Sequence, residues 1–256
     1  MDSQHVLTDA PTHADFRLLY GSDENQFGDL RLPKSKGLHP VVMMIHGGYW
    51  RARYDLIHAG HLCAALAKAG LATWNLEYRR VGNYGGGWPG TFEDITSGFL
   101  FLKQIAGKYH LNEKKVMVMG HSAGGELALC LGAHQRSVRG ALSLAGVVDL
   151  HRAWELHLSN DAVVEFLGGP PEKVPEHYHE ASPAEVTMPH LVQRLIHGVK
   201  DDIVPIEMSR HYRDAKKKRG ENVELIELAN ADHFDVIDPQ AKAWPIVEKT
   251  ILKILG

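Results

Sequence analysis

Ser122 lies in Gly120-His121-Ser122-Ala123-Gly124, a G-x-S-x-G pattern between an apolar VMVM run and the helix-like GELALCLGAH. A turn this sharp needs small residues beside the serine, and it lifts the hydroxyl above the sheet. It also places the serine at a helix N-terminus, where developing negative charge is favoured. The chemistry served is nucleophilic attack on an acyl carbon. A serine hydroxyl needs a base for this, and the base needs an orienting carboxylate. His233, in Asn230-Ala231-Asp232-His233-Phe234-Asp235, follows the last apolar run and is the candidate base. Asp201 and Asp202 follow the run that ends at His197-Gly198, and both compete for the carboxylate role. His46-Gly47-Gly48-Tyr49-Trp50 ends an early apolar run. There the backbone N–H groups of Gly48 and Tyr49, with that of Ala123, are the candidate oxyanion donors. His46 reads as a packing histidine, Asp232 and Asp235 as loop or capping residues, and Glu126 as a buried, hydrogen-bonded carboxyl.

These groups need a sheet edge to hold them. Apolar runs at 41–46, 71–77, 116–120, 139–145, 191–197 and 223–228 alternate with helical patterns at 55–69, 91–107, 123–134, 206–219 and 240–255. Uninterrupted apolar strands suit a sheet covered on both faces, and the alternation predicts parallel pairing. Segments 16–20 and 28–32 read as an opening hairpin. Thr91 with Asp94 reads as a capping signal for the second helix. The expectation is one α/β domain over 1–256 with the α/β-hydrolase fold, whose chain order is Ser, then Asp or Glu, then His. The glycine-rich loop at 80–90 and the long segment at 149–190 interrupt the alternation and read as pocket walls.

The stretch HGVKDDIVP resembles the H-G-x-x-D-x-x-V-P pattern of many α/β-hydrolases, which selects Asp201. HGGYW fits the HGGxW signature of the kynurenine formamidases (arylformamidases), a branch close to the hormone-sensitive-lipase-like esterases. GVVDL at 146–150 and the stretch from SRHYRD to HFDVID are also similar to that family, from about residue 18 to the C-terminus. The resemblance implies hydrolysis of N-formyl-L-kynurenine to L-kynurenine and formate without a cofactor. It carries the triad onto Ser122, Asp201 and His233, and the oxyanion signature onto His46 to Trp50. EYRRVGNYGGGWPGTFEDI is similar to a broader set of bacterial hydrolases labelled esterases, so short acyl or aryl esters are the alternative substrates. An aryl leaving group needs an aromatic cleft, for which Tyr49, Trp50, Tyr84, Trp88, Trp154 and Phe166 are candidates.

Composition narrows the partners. Net charge is −3 over 256 residues, with both signs mixed, which points away from nucleic acid and anionic membranes. The basic run Lys216-Lys217-Lys218-Arg219 ends a helical pattern and complements its dipole. No run approaches a membrane span of about 20 apolar residues, and the N-terminus lacks a leader's apolar core. Cys63 and Cys130 sit in apolar helical runs and read as core thiols of a reducing compartment, so a cytoplasmic location is expected. The partner is a small-molecule substrate, and a homodimer is compatible with the sequence. His58 with His61, and His177 with His179, lack a third ligand, so no metal is expected. Gly85-Gly86-Gly87 lacks the Lys-Ser/Thr of a phosphate loop. The rival class is a non-catalytic binder on the same scaffold, which would normally lack one of the three residues that are present here in order.

Overall fold

The computed structural model describes residues 4–256. Eight strands form one sheet: β1 Phe16–Leu19, β2 Phe27–Arg31, β3 His39–Ile45, β4 Ala72–Leu76, β5 Leu111–His121, β6 Ala141–Leu144, β7 Gln193–Gly198 and β8 Val223–Leu228. Their spatial order is β1-β2-β4-β3-β5-β6-β7-β8. The opening hairpin is antiparallel and β2 pairs antiparallel with β4, while every later pairing is parallel. This is the α/β-hydrolase arrangement.

The apolar runs alternate their side chains between two cores, as the pleat requires. Val41, Met43 and Ile45 of β3, with Val116 and Val118 of β5, face one core. It is closed by α3 (Gly90–Tyr109), α4 (Ala123–His134) and α8 (Ile206–Lys218). Val42, Met44, Met117 and Met119 face the other, closed by α2 (Gly60–Lys68) and α9 (Trp244–Leu255). The remaining helices are short: α1 (His5–Thr8), α5 (Leu150–Glu155), α6 (Ala162–Leu167) and α7 (Pro175–Ala181). The last three fold the 149–190 segment into compact turns. Cys63 and Cys130 are buried free thiols. Among the described residues no helix is long and apolar enough to cross a membrane.

Two local readings need correction. Thr91 and Asp94 do not cap α3, which starts after Pro89 with no side-chain cap. Thr91 Oγ1 donates to the Arg79 carbonyl at 2.6 Å, and Asp94 accepts from Arg79 and Gln26. Both therefore tie down the loop entering the helix. Lys216 does not lie in solvent at the end of α8. Its side chain is fully buried, donates to the Val186 carbonyl and lies 3.5 Å from Glu221. The helix turns that residue inward, while Lys217, Lys218 and Arg219 stay exposed.

Candidate active site

Strand β5 ends at His121 and α4 begins at Ala123, so the whole reversal falls on Ser122. Its backbone has φ 54 and ψ −121, a strained conformation for a residue with a Cβ. The surroundings hold it there. Ser122 N–H donates to Leu144 O at 2.9 Å, and Ser122 O accepts from Gly125 N–H at 2.9 Å. The motif glycines are steric requirements: a Cβ on Gly120 would stand 1.9 Å from Gly124 O, and one on Gly124 2.1 Å from Ile45 O.

His233 follows β8, and its Nδ1–H donates to Asp201 Oδ2 at 2.7 Å. That leaves Nε2 as the ring's acceptor. The buried Asp201 carboxylate is saturated with donors. Oδ1 accepts from the backbone N–H groups of Ile203 at 2.9 Å and Val204 at 2.8 Å. Oδ2 also lies 3.1 Å from His197 Nε2, whose other contact is the Val204 carbonyl at 2.9 Å. Burial opposes ionisation of Asp201, but the hydrogen bonds from His197 and His233 outweigh it and hold the carboxyl well below its usual range. Asp202 is exposed and has no place in this arrangement.

The HGGYW loop follows β3. Gly48, Tyr49 and Trp50 all have positive φ, at 116, 51 and 55. Tyr49 OH donates to Ile203 O at 3.1 Å, which ties this loop to the one carrying Asp201. Ala123 stands at the first position of α4, so its N–H is one of the free donors of a helix start. His46 is fully buried, contacts Glu77 Oε1 at 3.0 Å through Nε2 and stacks on Tyr78 at 4.4 Å.

Ser122 and His233 line one cleft of about 460 Å³, open mouth included, together with Leu7, Gly48, Tyr49, Tyr54, His58, His121, Ile203 and Phe234. The structure does not bring the other aromatic candidates to it. Trp50 is 1% exposed and stacks on Phe166 at 4.5 Å behind the loop. Trp88 stacks on Phe92 at 5.4 Å and lines a different cleft, with His134 and His179. Tyr84 is 96% exposed at a loop tip, and Trp154 packs against the core. Nor do the 80–90 and 149–190 segments line it: Trp88 N–H donates to Phe166 O, and Phe166, Leu167 and Tyr178 are buried in the core that α3 and α4 close. The walls come from the N-terminal segment, the HGGYW loop, the turn at 54–58 and the loops after β7 and β8.

Two more histidines face this cleft. Burial pushes His58 down to about 3 and His121 well below its ordinary value, so both rings are neutral at physiological pH. His121 Nε2–H donates to the His233 carbonyl at 2.9 Å, bracing the loop that carries the candidate base. His121, Ile203 and Phe234 are neighbours of motif residues and could have been found from the sequence. Tyr54 stands four residues past the HGGYW motif with nothing in the sequence to mark it, and Leu7 and His58 belong to no motif. Among the described residues no three His, Cys, Asp or Glu side chains are placed to hold a metal ion.

Residues 29–215 match the family model described as BD-FAE. The chain belongs to the BD-FAE family. The BD-FAE match includes the HGGYW loop, Ser122 and Asp201; His233 lies beyond its end. The chain is similar to the esterase LipC of Mycobacterium tuberculosis, 26% identical over 87% of this chain and 60% of LipC. It is also similar to the kynurenine formamidase of Drosophila melanogaster, 23% identical over 88% of this chain and 76% of that protein. The chain thus spans less than two thirds of the length of the esterase relative. Esterase B of Lactobacillus rhamnosis superimposes with a TM-score of 0.84 at 18% identity, covering 99% of this chain and 90% of that one, which shows a shared fold.

Proposed function

We propose that this BD-FAE chain is a serine hydrolase of the carboxylesterase type, acting on small uncharged acyl or aryl esters. The chemistry of the cleft carries the reading. Its walls are Leu7, Tyr49, Tyr54, Ile203 and Phe234 with the neutral rings of His58 and His121, and among the described residues no lysine or arginine lines it. An ester needs no charged partner there. A substrate with a free carboxylate would have to leave it unpaired in an apolar cleft, which is costly.

In this reading His233, oriented by Asp201, takes the proton of Ser122 as the oxygen attacks the carbonyl carbon. The N–H groups of Gly48, Tyr49 and Ala123 hold the oxyanion, and each such donor is worth about 10²–10³ in rate. His233 returns the proton to the departing alcohol. It then activates a water that releases the acid from Ser122. Tyr49, on the cleft wall, contacts the substrate. No cofactor takes part.

A second reading, hydrolysis of N-formyl-L-kynurenine, is favoured by the HGGYW loop and by the formamidase relatives. Comparison of kcat/KM for p-nitrophenyl acetate and N-formyl-L-kynurenine, each with Ser122→Ala as the blank, tests both. Ester turnover that disappears in Ser122→Ala is expected, with weak turnover of the formamide. A strong preference for the formamide would replace the first reading with the second. No fluorophosphonate labelling of the folded protein would refute both and leave a non-catalytic binder.

A further inference from the structure

Glu126 is a titratable group that the steps above do not use. It lies on α4 one turn beyond Ser122 and is fully buried. Its Oε2 accepts from the indole N–H of Trp50 at 3.0 Å. Its Oε1 faces only the weak thiol donor of Cys130, which also points to the Ala181 carbonyl. A buried carboxyl so weakly paired is costly, and an apolar side chain would fill the same space without that cost. What Glu126 provides is a partner for a buried indole.

Trp50 closes the run of three positive-φ residues that turns the oxyanion loop. Two of these, Tyr49 and Trp50, carry side chains, so the loop must be held in place by its surroundings. Several contacts hold it, among them the bond from Tyr49 OH to Ile203 O already described. Val81 N–H donates to Trp50 O at 2.8 Å, and Arg51 N–H to Gly48 O at 3.1 Å. Phe166 lies parallel to the indole, 7° between planes. Glu126 is the contact that comes from the nucleophile helix itself. It therefore joins the two halves of the oxyanion site: Ala123 at the start of α4, and Gly48 and Tyr49 on the loop.

We propose that Glu126 is a positioning residue, which sets the oxyanion loop against the nucleophile helix through Trp50. The inference rests on the esterase reading of Ser122. Its protonation matters as well. Burial raises the Glu126 carboxyl to about 8. The titratable groups facing it are Cys130 on the same helix and Tyr78 beyond β4, with Lys216 of α8 behind Cys130. At neutral pH Glu126 is uncharged. At higher pH a buried negative charge forms one turn from Ser122 and opposes the oxyanion.

The test measures kcat and KM for p-nitrophenyl acetate between pH 6 and 9 in the full chain. Glu126→Leu should lower kcat about 10- to 100-fold at pH 7, with KM within about twofold, because a displaced donor weakens the transition state more than the ground state. Glu126→Gln keeps an acceptor for Trp50 and should restore most of that loss. It should also abolish the fall in kcat that the parent shows through about pH 8. If Glu126→Leu does not fold, Trp50→Phe removes the same hydrogen bond from the other side and keeps the stack on Phe166. A parental kcat in Glu126→Leu or Trp50→Phe, or an alkaline fall that survives in Glu126→Gln, would overturn the inference. Absence of Ser122-dependent turnover in the parent would instead overturn the esterase reading, and this inference with it.

Discussion

Replacing Asp201 with asparagine should nearly abolish the proposed hydrolase activity without unfolding the chain. Each carboxylate oxygen faces two donors. Oδ1 accepts from the N–H groups of Ile203 and Val204, and Oδ2 faces His233 Nδ1 and His197 Nε2. An asparagine must turn its NH₂ toward one pair. Turned toward the backbone amides, it would leave two buried donors unpaired, at about 1–3 kcal/mol each. Turned toward the histidines, it leaves His197 its bond to the Val204 carbonyl, and His233 can answer by changing tautomer. The second arrangement wins. His233 then carries its proton on Nε2 and cannot accept the Ser122 proton. Loss of the base in this way costs about 10³–10⁴ in kcat, or roughly 4–5.5 kcal/mol of transition-state stabilisation. The assay is kcat for p-nitrophenyl acetate, with thermal unfolding to confirm the fold and Asp202→Asn as the control. Asp202 is exposed, so that control should stay within about twofold of the parent. A kcat for Asp201→Asn within tenfold of the parent, or equal losses in both variants, would refute the reasoning.

Three further outcomes are expected, at Asp201, Gly124 and Lys216. The stability that Asp201 contributes is fully present above its ordinary pKa of 3.8 and is lost as pH falls toward its depressed folded value. The Tm gap between the parent and Asp201→Asn should therefore narrow from pH 6 to pH 3; a constant gap would contradict the assignment. Gly124→Ala places a methyl 2.1 Å from the Ile45 carbonyl, so the elbow must shift. Fluorophosphonate labelling should drop sharply even where circular dichroism shows a folded chain, and parental labelling would count against the steric argument. Lys216→Met strands the buried Glu221 carboxylate, which otherwise meets Lys216, Gln193 and the Met188 amide. Urea unfolding should show a loss of about 3–5 kcal/mol, with part regained in the double variant with Glu221→Gln. No loss would mean that the pair is not buried as described.

Much of this molecule could be read from residue order, because the features concerned are local. Strand runs such as VVMMI and VMVM are apolar on both sides, and that alone requires a sheet covered on both faces. Gly120 and Gly124 announce an elbow because only a sharp reversal demands small residues on both sides of a serine. The order Ser122, Asp201, His233 follows from where each strand ends, so the sheet topology brings the three together.

The rest depended on packing between distant segments. Among the described residues, two backbone amides and two histidines converge on Asp201 and none on Asp202, a difference that the two adjacent aspartates do not show in sequence. The aromatics went astray for the same reason. Trp50, Trp88 and Tyr84 sit in loops beside motif residues, yet one lies under its loop, one in another cleft and one in solvent. Proximity in sequence says nothing about which way a turn with positive φ directs a side chain. Leu7 reached the cleft from the far N-terminus, and Tyr54 and His58 from a turn that carries no motif. Chain order determined which strands end beside one another and hence which reactive groups meet. Tertiary packing decided what surrounds them, because burial and hydrogen-bond saturation are set by the whole of the surrounding chain.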